Sequence, residues 1–273
     1  AEVGTPFYVY SRAEIERAYR AFDGALEGIP HRVCYAVKAC STLGVLKVLI
    51  ELGAGADIVS AGELFRWQKA GGAANKVVFS GVGKSEDEMR LAITAGIDMF
   101  NVESAEEMTA LGAVARSLKT TVKVALRVNP DVDPQTHPYI STGLKQNKFG
   151  VGMAEAAPIL GTAKAAGGIE VSGVDFHIGS QLTKTSPFTD SIARLVALVD
   201  ELAVAGIQLD HVDIGGGLGI DYGKGEAIVS PAEYGAAVKA ALAPLTSRGL
   251  TVYTEPGRVI VGGSGALVTK VMF

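Results

Sequence analysis

Short apolar runs rich in β-branched residues recur along the chain, each followed by a turn and then by apolar residues spaced three and four apart. The runs are VCYAVK (33–38), GADIVS (55–60), KVVFS (76–80), DMFNVE (98–103), KVALRV (123–128), GVDFHI (173–178), HVDIGG (211–216) and TVYTEP (251–256). Several are apolar on both faces, as parallel strands covered by helices must be. Helix starts fall between them. Ser60 with Glu63, Ser85 with Glu88 and Ser104 with Glu107 fit the S-x-x-E capping box. Ser41 stands as the cap of TLGVLKVLIELG, which closes at Gly53, and Ser11 with Glu14 opens one more helix ahead of the first strand. Strand–helix units at this near-regular spacing predict a (β/α)8 barrel, whose usual size is about 250 residues. A doubly wound open sheet is the alternative, and the regular spacing favours closure.

With 48% hydrophobic residues and a mean hydropathy of +0.28, the chain supports a large core. Its 25 basic and 29 acidic residues are interspersed and sum to −4. No basic stripe points to nucleic acid and no polybasic segment to a membrane surface. No uncharged apolar stretch reaches the roughly 18 residues of a membrane span, and AEVGTPFYVY is not a signal peptide. Cys34 and Cys40 read as free thiols in a reducing compartment, so a cytoplasmic location is expected. The chain opens at Ala1 without an initiator Met and stops in GALVTKVMF, an apolar run that reads as an unfinished strand. The expectation is a trimmed chain, with sequence beyond both ends.

In a (β/α)8 barrel the functional groups gather where the strands end. Those ends carry Lys38 after the first strand, Asp57 near the end of the second, Arg127 on the fifth and His177 on the sixth. Gly215, Gly216 and Gly217 follow the seventh; Glu255, Pro256, Gly257 and Arg258 follow the eighth. Lys38 is thereby a candidate reactive amine in a shared pocket. GGGLG (215–219) is a candidate anion nest, since glycine lets backbone N–H groups approach a phosphate closely, and Ser180 adds a hydroxyl. A tight turn would need the same glycines. Taken singly, Lys38 reads as a surface lysine, His177 as a core histidine, and Glu255 with Arg258 as a structural ion pair; their convergence on one barrel mouth is what favours chemistry. Glu63 is assigned to capping alone. No metal enters this reading.

YAVKA (35–39), HIGSQ (177–181) with Phe176 before it, GGGLG and EPGR (255–258) resemble, in order and across nearly the whole chain, the pyridoxal-phosphate-dependent decarboxylases of the alanine-racemase-like barrel fold. HPYISTGLKQNKFG (137–150) is similar to the diaminopimelate decarboxylases rather than to those acting on ornithine or arginine. The resemblance implies decarboxylation of meso-2,6-diaminopimelate to L-lysine, the last step of lysine biosynthesis. Lys38 would bond covalently to pyridoxal 5'-phosphate, His177 would stack on its ring, and Glu255 would pair with the ring nitrogen. Gly217 with Gly215 and Gly216, Ser180, and the backbone of Pro256, Gly257 and Arg258 would hold the phosphate. Arg258 would also reach a substrate carboxylate, and Asp57 and Arg127 would sit near the ring. The lysine must act as a free amine, and burial beside other cations is expected to lower its pKa.

The resemblance also implies a barrel over 1–258, with 259–273 beginning a C-terminal β-rich domain. That domain would supply further substrate contacts and a cysteine for a partner subunit's site, in a homodimer that shares its active sites. Neither Cys34 nor Cys40 replaces that cysteine. Three rivals stand beside this reading: a barrel that binds pyridoxal phosphate without catalysis, a lysine aldolase that needs no cofactor, and a degenerate interaction module. Glu255 argues for decarboxylation over racemisation, for which a cation at the ring nitrogen would be expected.

Overall fold

In the computed structural model, residues 4–132, 149–223, 225 and 227–273 are described. After an outlying strand β1 (Phe7–Tyr10) and helix α1 (Arg12–Ala25), the chain alternates strand and helix. The order is β2 (His31–Ala36), α2 (Leu43–Glu51), β3 (Gly55–Ile58), α3 (Ala61–Lys69), β4 (Val77–Phe79), α4 (Glu86–Ala95), β5 (Met99–Val102), α5 (Ala105–Ser117) and β6 (Val122–Asn129). It continues with the two-residue β7 (Val151–Gly152), α6 (Ala156–Ala166), β8 (Ile169–Asp175), α7 (Ser186–Val204), β9 (His211–Asp213), α8 (Pro231–Thr246), β10 (Thr251–Thr254), α9 (Arg258–Val261) and β11 (Gly265–Val268).

Strands β2, β3, β4, β5, β6, β8, β9 and β10 pair in that order, all parallel, and β10 pairs back onto β2. The ring has no free edge, which excludes the open doubly wound sheet and makes the fold a (β/α)8 barrel. The last helix of the ring is the short α9. Helix α1 packs against α8, α2 and α9 and so covers the barrel where α9 is too short to do so. Strand β1 leaves the barrel and pairs antiparallel with β11, Phe7 opposite Val268 and Tyr10 opposite Gly265. Among the described residues no helix is long and apolar enough to cross a membrane.

Side-chain alternation sorts the strands into two faces. Val33, Tyr35, Phe79, Phe100, Leu126, Val174 and Val252 join one large buried cluster with helix residues such as Leu46, Leu64, Trp67 and Leu195. Cys34, Val78, Met99, Ala125 and Tyr253 form a separate cluster drawn from five strands and no helix, which is the barrel interior. One step further along the same strands the inward residues become polar: Asn101 follows Met99, Arg127 follows Ala125 and Glu255 follows Tyr253, each two residues on. The interior is thus apolar below and ionisable at the C-terminal end.

Several boundaries differ from the sequence reading. The first barrel strand ends at Ala36, and Lys38 lies in a 3-10 turn, Val37–Ala39. β8 starts at Ile169 and ends at Asp175, so His177 lies past the strand. Thr42, not Ser41, caps α2, and its side chain makes no capping bond. Only Ser85 with Glu88 closes a full capping box among the pairs expected. At Ser60 and Ser104 the glutamate reaches one residue further back, accepting from the N–H of Val59 (2.7 Å) and of Glu103 (2.9 Å). The carboxylate of Glu14 turns instead to Arg17. Ser230 with Glu233, which the sequence reading passed over, is a full box on α8.

At the opposite end of the barrel, His211 has a consequence for acid stability. A Cβ on Gly173 would lie 2.3 Å from the His211 ring, so the imidazole occupies that space, 4.7 Å from the Tyr253 ring, with no partner for Nε2 among the described residues. Burial, aided by Lys123 and Arg32, lowers its pKa to about 3. The unfolded chain takes up this proton near pH 6.5, before the folded chain does. Stability is therefore present above that pH and is lost as pH falls towards 3, by an amount on the order of a few kcal/mol. His211→Gln should flatten the drop in urea midpoint between neutral and acid pH. A drop as steep as in the wild type would clear His211 of the effect.

Candidate active site at the barrel mouth

The turn after β2 is held by the turn after β10. The Ala36 N–H donates to the Pro256 carbonyl (3.1 Å), and a Cβ on Gly257 would come within 2.9 Å of the Ala39 Cβ. This seats Lys38 at the mouth with its side chain half-exposed, and Nζ donates to Asp57 Oδ2 at 2.6 Å. Asp57 is fully buried, and its Oδ1 has no partner among the described residues. Burial opposes the lysine charge, but Asp57 and Glu255 outweigh it and raise the Lys38 pKa. This corrects the sequence reading, which placed Lys38 among cations. The strand ends supply more buried carboxylates (Asp57, Glu103, Asp175, Asp213 and Glu255) than cations, so the ammonium is retained.

Glu255 accepts from Asn101 Nδ2 (3.0 Å) and Ser80 Oγ (3.2 Å). Burial pushes its pKa well up, and the charges of Asp213, Asp57 and Asp175 add to this. Asp213 accepts from the Gly215 N–H (2.8 Å) and faces Asn101 Nδ2 (3.4 Å). One carboxyl oxygen each from Asp175, Asp213 and Glu255 lie within 4.8 Å of one another. Three such buried groups so close together disfavour one another's ionisation. The sequence reading missed Asp213, Asp175, Asn101, Ser80 and Glu103. The available signal was a polar residue in an otherwise apolar strand, in phase with its inward positions.

Arg127 is buried and fully engaged. It donates to Glu103 Oε1 (2.8 Å) and the His177 carbonyl (3.3 Å), approaches Asp175 (4.0 Å) and lies 5.0 Å over the Phe149 ring. It therefore fixes the backbone that carries His177. His177 Nδ1 accepts from the Gly216 N–H (3.1 Å), which places the ring proton on Nε2. Burial, with Arg127 and Lys38 nearby, pushes the His177 pKa well down, so the ring is neutral.

The glycine loop is dictated by close approach as well as by turning. A Cβ on Gly216 would sit 2.1 Å from the Glu255 carbonyl oxygen, and one on Gly217 would sit 2.4 Å from that of Gly179. Gly215 (φ +62°) and Gly217 (φ +110°) adopt backbone that disfavours side chains. The structure modifies the anion-nest expectation. The amides of Gly215 and Gly216 are committed to Asp213 and His177, which leaves that of Gly217 without an acceptor among the described residues. Beside it, Arg258 donates to Ser180 Oγ (3.3 Å) and to the Tyr222 hydroxyl, while its buried Nε lacks a partner among the described residues. The structure thus brings Lys38, Asp57, Arg127, His177 and Glu255 around one mouth, with Ser180, Gly217 and Arg258 at its side. Of the 137–150 stretch, residues 137–148 lie outside the described residues. Glu63, assigned to capping from sequence, holds the Val59 N–H.

Comparison with known proteins puts this geometry in context. The family described as pyridoxal-dependent decarboxylase, pyridoxal binding domain, matches residues 12–262. The chain is 55% identical over 270 residues to a diaminopimelate decarboxylase of Pseudomonas aeruginosa, covering 99% of this chain and 64% of that protein. It is 51% identical over 273 residues to one of Vibrio cholerae, covering 100% and 64%. The chain spans about 64% of the length of these curated relatives. Among solved structures, diaminopimelate decarboxylase from Helicobacter pylori complexed with L-lysine superposes with a TM-score of 0.94 at 41% identity, covering 98% of this chain and 67% of that one. A lysine/ornithine decarboxylase from Vibrio vulnificus complexed with cadaverine gives 0.85 at 25% identity, covering 100% and 67%.

Proposed function

Because this chain belongs to the pyridoxal-dependent decarboxylases and carries their pyridoxal-binding domain, we propose that the full-length protein decarboxylates meso-2,6-diaminopimelate to L-lysine, as the last step of lysine biosynthesis in the cytoplasm. The observation that carries this reading is the pairing of a mouth lysine, Lys38 on Asp57 at 2.6 Å, with a buried glutamate, Glu255, in the same barrel interior. The chemistry fits pyridoxal phosphate. The interior has an excess of carboxylates suited to a cationic ring, unpartnered oxygens on Asp57 and Asn101, and glycines where a Cβ would collide.

Bound pyridoxal phosphate supplies a sink for the electron pair left on the α-carbon as CO2 departs. Lys38 would hold the cofactor covalently through Nζ, and Asp57 is placed to take the proton that Nζ must lose to become a nucleophile. His177, neutral and fixed by Gly216, would stack on the ring. Glu255 would pair with the ring nitrogen and keep positive charge there, which would favour decarboxylation over racemisation. The Gly217 amide, the Ser180 hydroxyl and the amides of Gly257 and Arg258 would hold the phosphate; Pro256, expected beside them, has no N–H to donate, and its carbonyl accepts from Ala36. Arg127 acts through the His177 backbone and Asp57 through Lys38.

Arg258 pairs with the distal carboxylate of the substrate, and its planar guanidinium suits that group. Ornithine and lysine end in an ammonium, which would meet the arginine as a like charge. Specificity constants of the full-length enzyme for diaminopimelate, ornithine, lysine and arginine test this. Diaminopimelate should lead by a large factor. Preference for another of the four would overturn the substrate, and cofactor binding without turnover of any would favour the non-catalytic barrel.

The β1–β11 ribbon lies outside the barrel, and because α9, the last helix of the ring, runs to Val261, the boundary expected at 258 falls instead just past α9, where we take a second, β-rich domain to begin. We take that domain to complete the site of a partner subunit in a homodimer. A Lys38→Ala subunit mixed with one lacking the C-terminal domain's cysteine should recover part of the activity. No recovery in demonstrated heterodimers would refute shared sites.

A further inference from the structure

We propose that Asp213 is a positioning residue that shares one proton with Glu255, and that this shared proton passes to the ring nitrogen when pyridoxal phosphate binds. The inference rests on the cofactor reading above and adds to it where the ring's proton comes from. Asp213 is fully buried at the end of β9, where the Gly215 N–H fixes its Oδ1 at 2.8 Å. Its Oδ2 and a Glu255 oxygen are spanned by one amide, Asn101 Nδ2, at 3.4 and 3.0 Å. Asn101 in turn donates to Ser80 Oγ (3.2 Å), which donates to Glu255. The Asn101 Oδ1 and the Asp175 Oδ1 are buried without partners among the described residues. The carboxyl pair is thus held by donors on both sides while acceptors beside it stand unused among the described residues, and no cation among them contacts it.

The groups facing Asp213 agree on where that hydrogen is. Glu255 lies against it from β10, Asp57 from β3, Asp175 from β8 and Asn101 from β5; the Cys34 thiol of β2 and the Tyr234 hydroxyl of α8 are also near. No cation contacts Asp213 among the described residues: Lys38 is held by Asp57 and Arg127 by Glu103. Burial raises both acids, Asp213 to about 6, and one oxygen of each lies within 4.8 Å of the other. The two titrate as one unit that keeps a proton at neutral pH. When the ring arrives, the Glu255 O–H bond breaks and an N–H bond forms on the ring nitrogen. The carboxylate pair would then balance one ring cation, and no proton would cross from solvent. Without the charge of Asp213, one of the neighbours that keep the proton on Glu255 is gone, and the ring would draw more of its proton from water.

Calorimetry of pyridoxal 5'-phosphate binding to the full-length apoprotein, in two buffers of unlike ionisation enthalpy at neutral pH, counts the protons exchanged. Asp213→Asn should take up measurably more protons per cofactor than the wild type. A merely structural role would alter affinity or stability and leave the count unchanged. The wild type provides a second readout that needs no variant. The infrared carbonyl band of a protonated carboxyl, assigned with carbon-13-labelled glutamate, should be present in the apoprotein and vanish on adding the cofactor. Equal proton counts in the two proteins, or a glutamate band that is absent from the apoprotein or survives binding, would overturn the proposal. If the cofactor fails to bind the wild type at all, the cofactor reading itself falls, and this inference falls with it.

Discussion

Lys38→Ala is expected to leave the full-length protein with no borohydride-fixed cofactor adduct and to cut turnover on the order of a thousandfold or more, as loss of a covalent group does. The expectation follows from where the other interior lysine is. Lys84 is fully buried near the same strand ends, but its Nζ is already held at 2.7 Å by the Gly81 carbonyl, the Asn101 carbonyl and Glu107. It has no freedom to reach a ligand at the mouth. Lys38 has one side-chain partner, Asp57, and a half-exposed chain. Asp57 holds the ammonium until an aldehyde arrives and can then accept its proton, so the ion pair is a resting position for a nucleophile. The check is mass spectrometry of peptides after reduction. An adduct carried by another lysine in the variant would remove Lys38 from its assigned role.

How far the chain could be read before folding depended on the kind of information. The barrel was legible because short apolar, β-branched runs recur at near-regular spacing and capping serines punctuate the helices between them. The mouth residues were legible where they follow a strand, as Lys38, Gly217 and Glu255 do. What escaped lay inside strands. Asn101 and Asp213 look like isolated polar interruptions, and only the closed barrel shows that β5, β9 and β10 deliver them to one amide-bridged pair. The charge state of Lys38 was misjudged for a related reason. Local sequence shows a lysine after an apolar strand, whereas its protonation is set by Asp57 and Glu255, which are 19 and 217 residues away in the chain (57 − 38 and 255 − 38). Electrostatics in a barrel mouth is summed over eight strand ends, and no window along the sequence contains that sum. Capping was misread at Ser60 and Ser104 because the glutamate had a better donor one residue further back.

Glu255→Gln is expected to cost roughly a hundredfold or more in kcat, the scale of removing one preorganised charge that acts on the transition state, while cofactor affinity changes only a few-fold. The amide is nearly the same shape, and its oxygen can still accept from Asn101 and Ser80, so the clamp around the position survives. What is lost is the capacity to be an anion. That capacity matters little to a cofactor resting in the site, which the phosphate contacts and Lys38 retain. It matters most when CO2 leaves and the ring must accept an electron pair, because a carboxylate at the nitrogen keeps the proton there and an amide does not. An interaction strengthened only in the transition state lowers kcat and spares binding. The size of the effect should therefore appear in kcat under saturating substrate, with a near-normal cofactor titration on the same preparation. Equal losses in both would reduce Glu255 to a packing or folding residue. Near-normal turnover would leave the barrel without a group to hold the ring nitrogen, and the preference for decarboxylation would need another source.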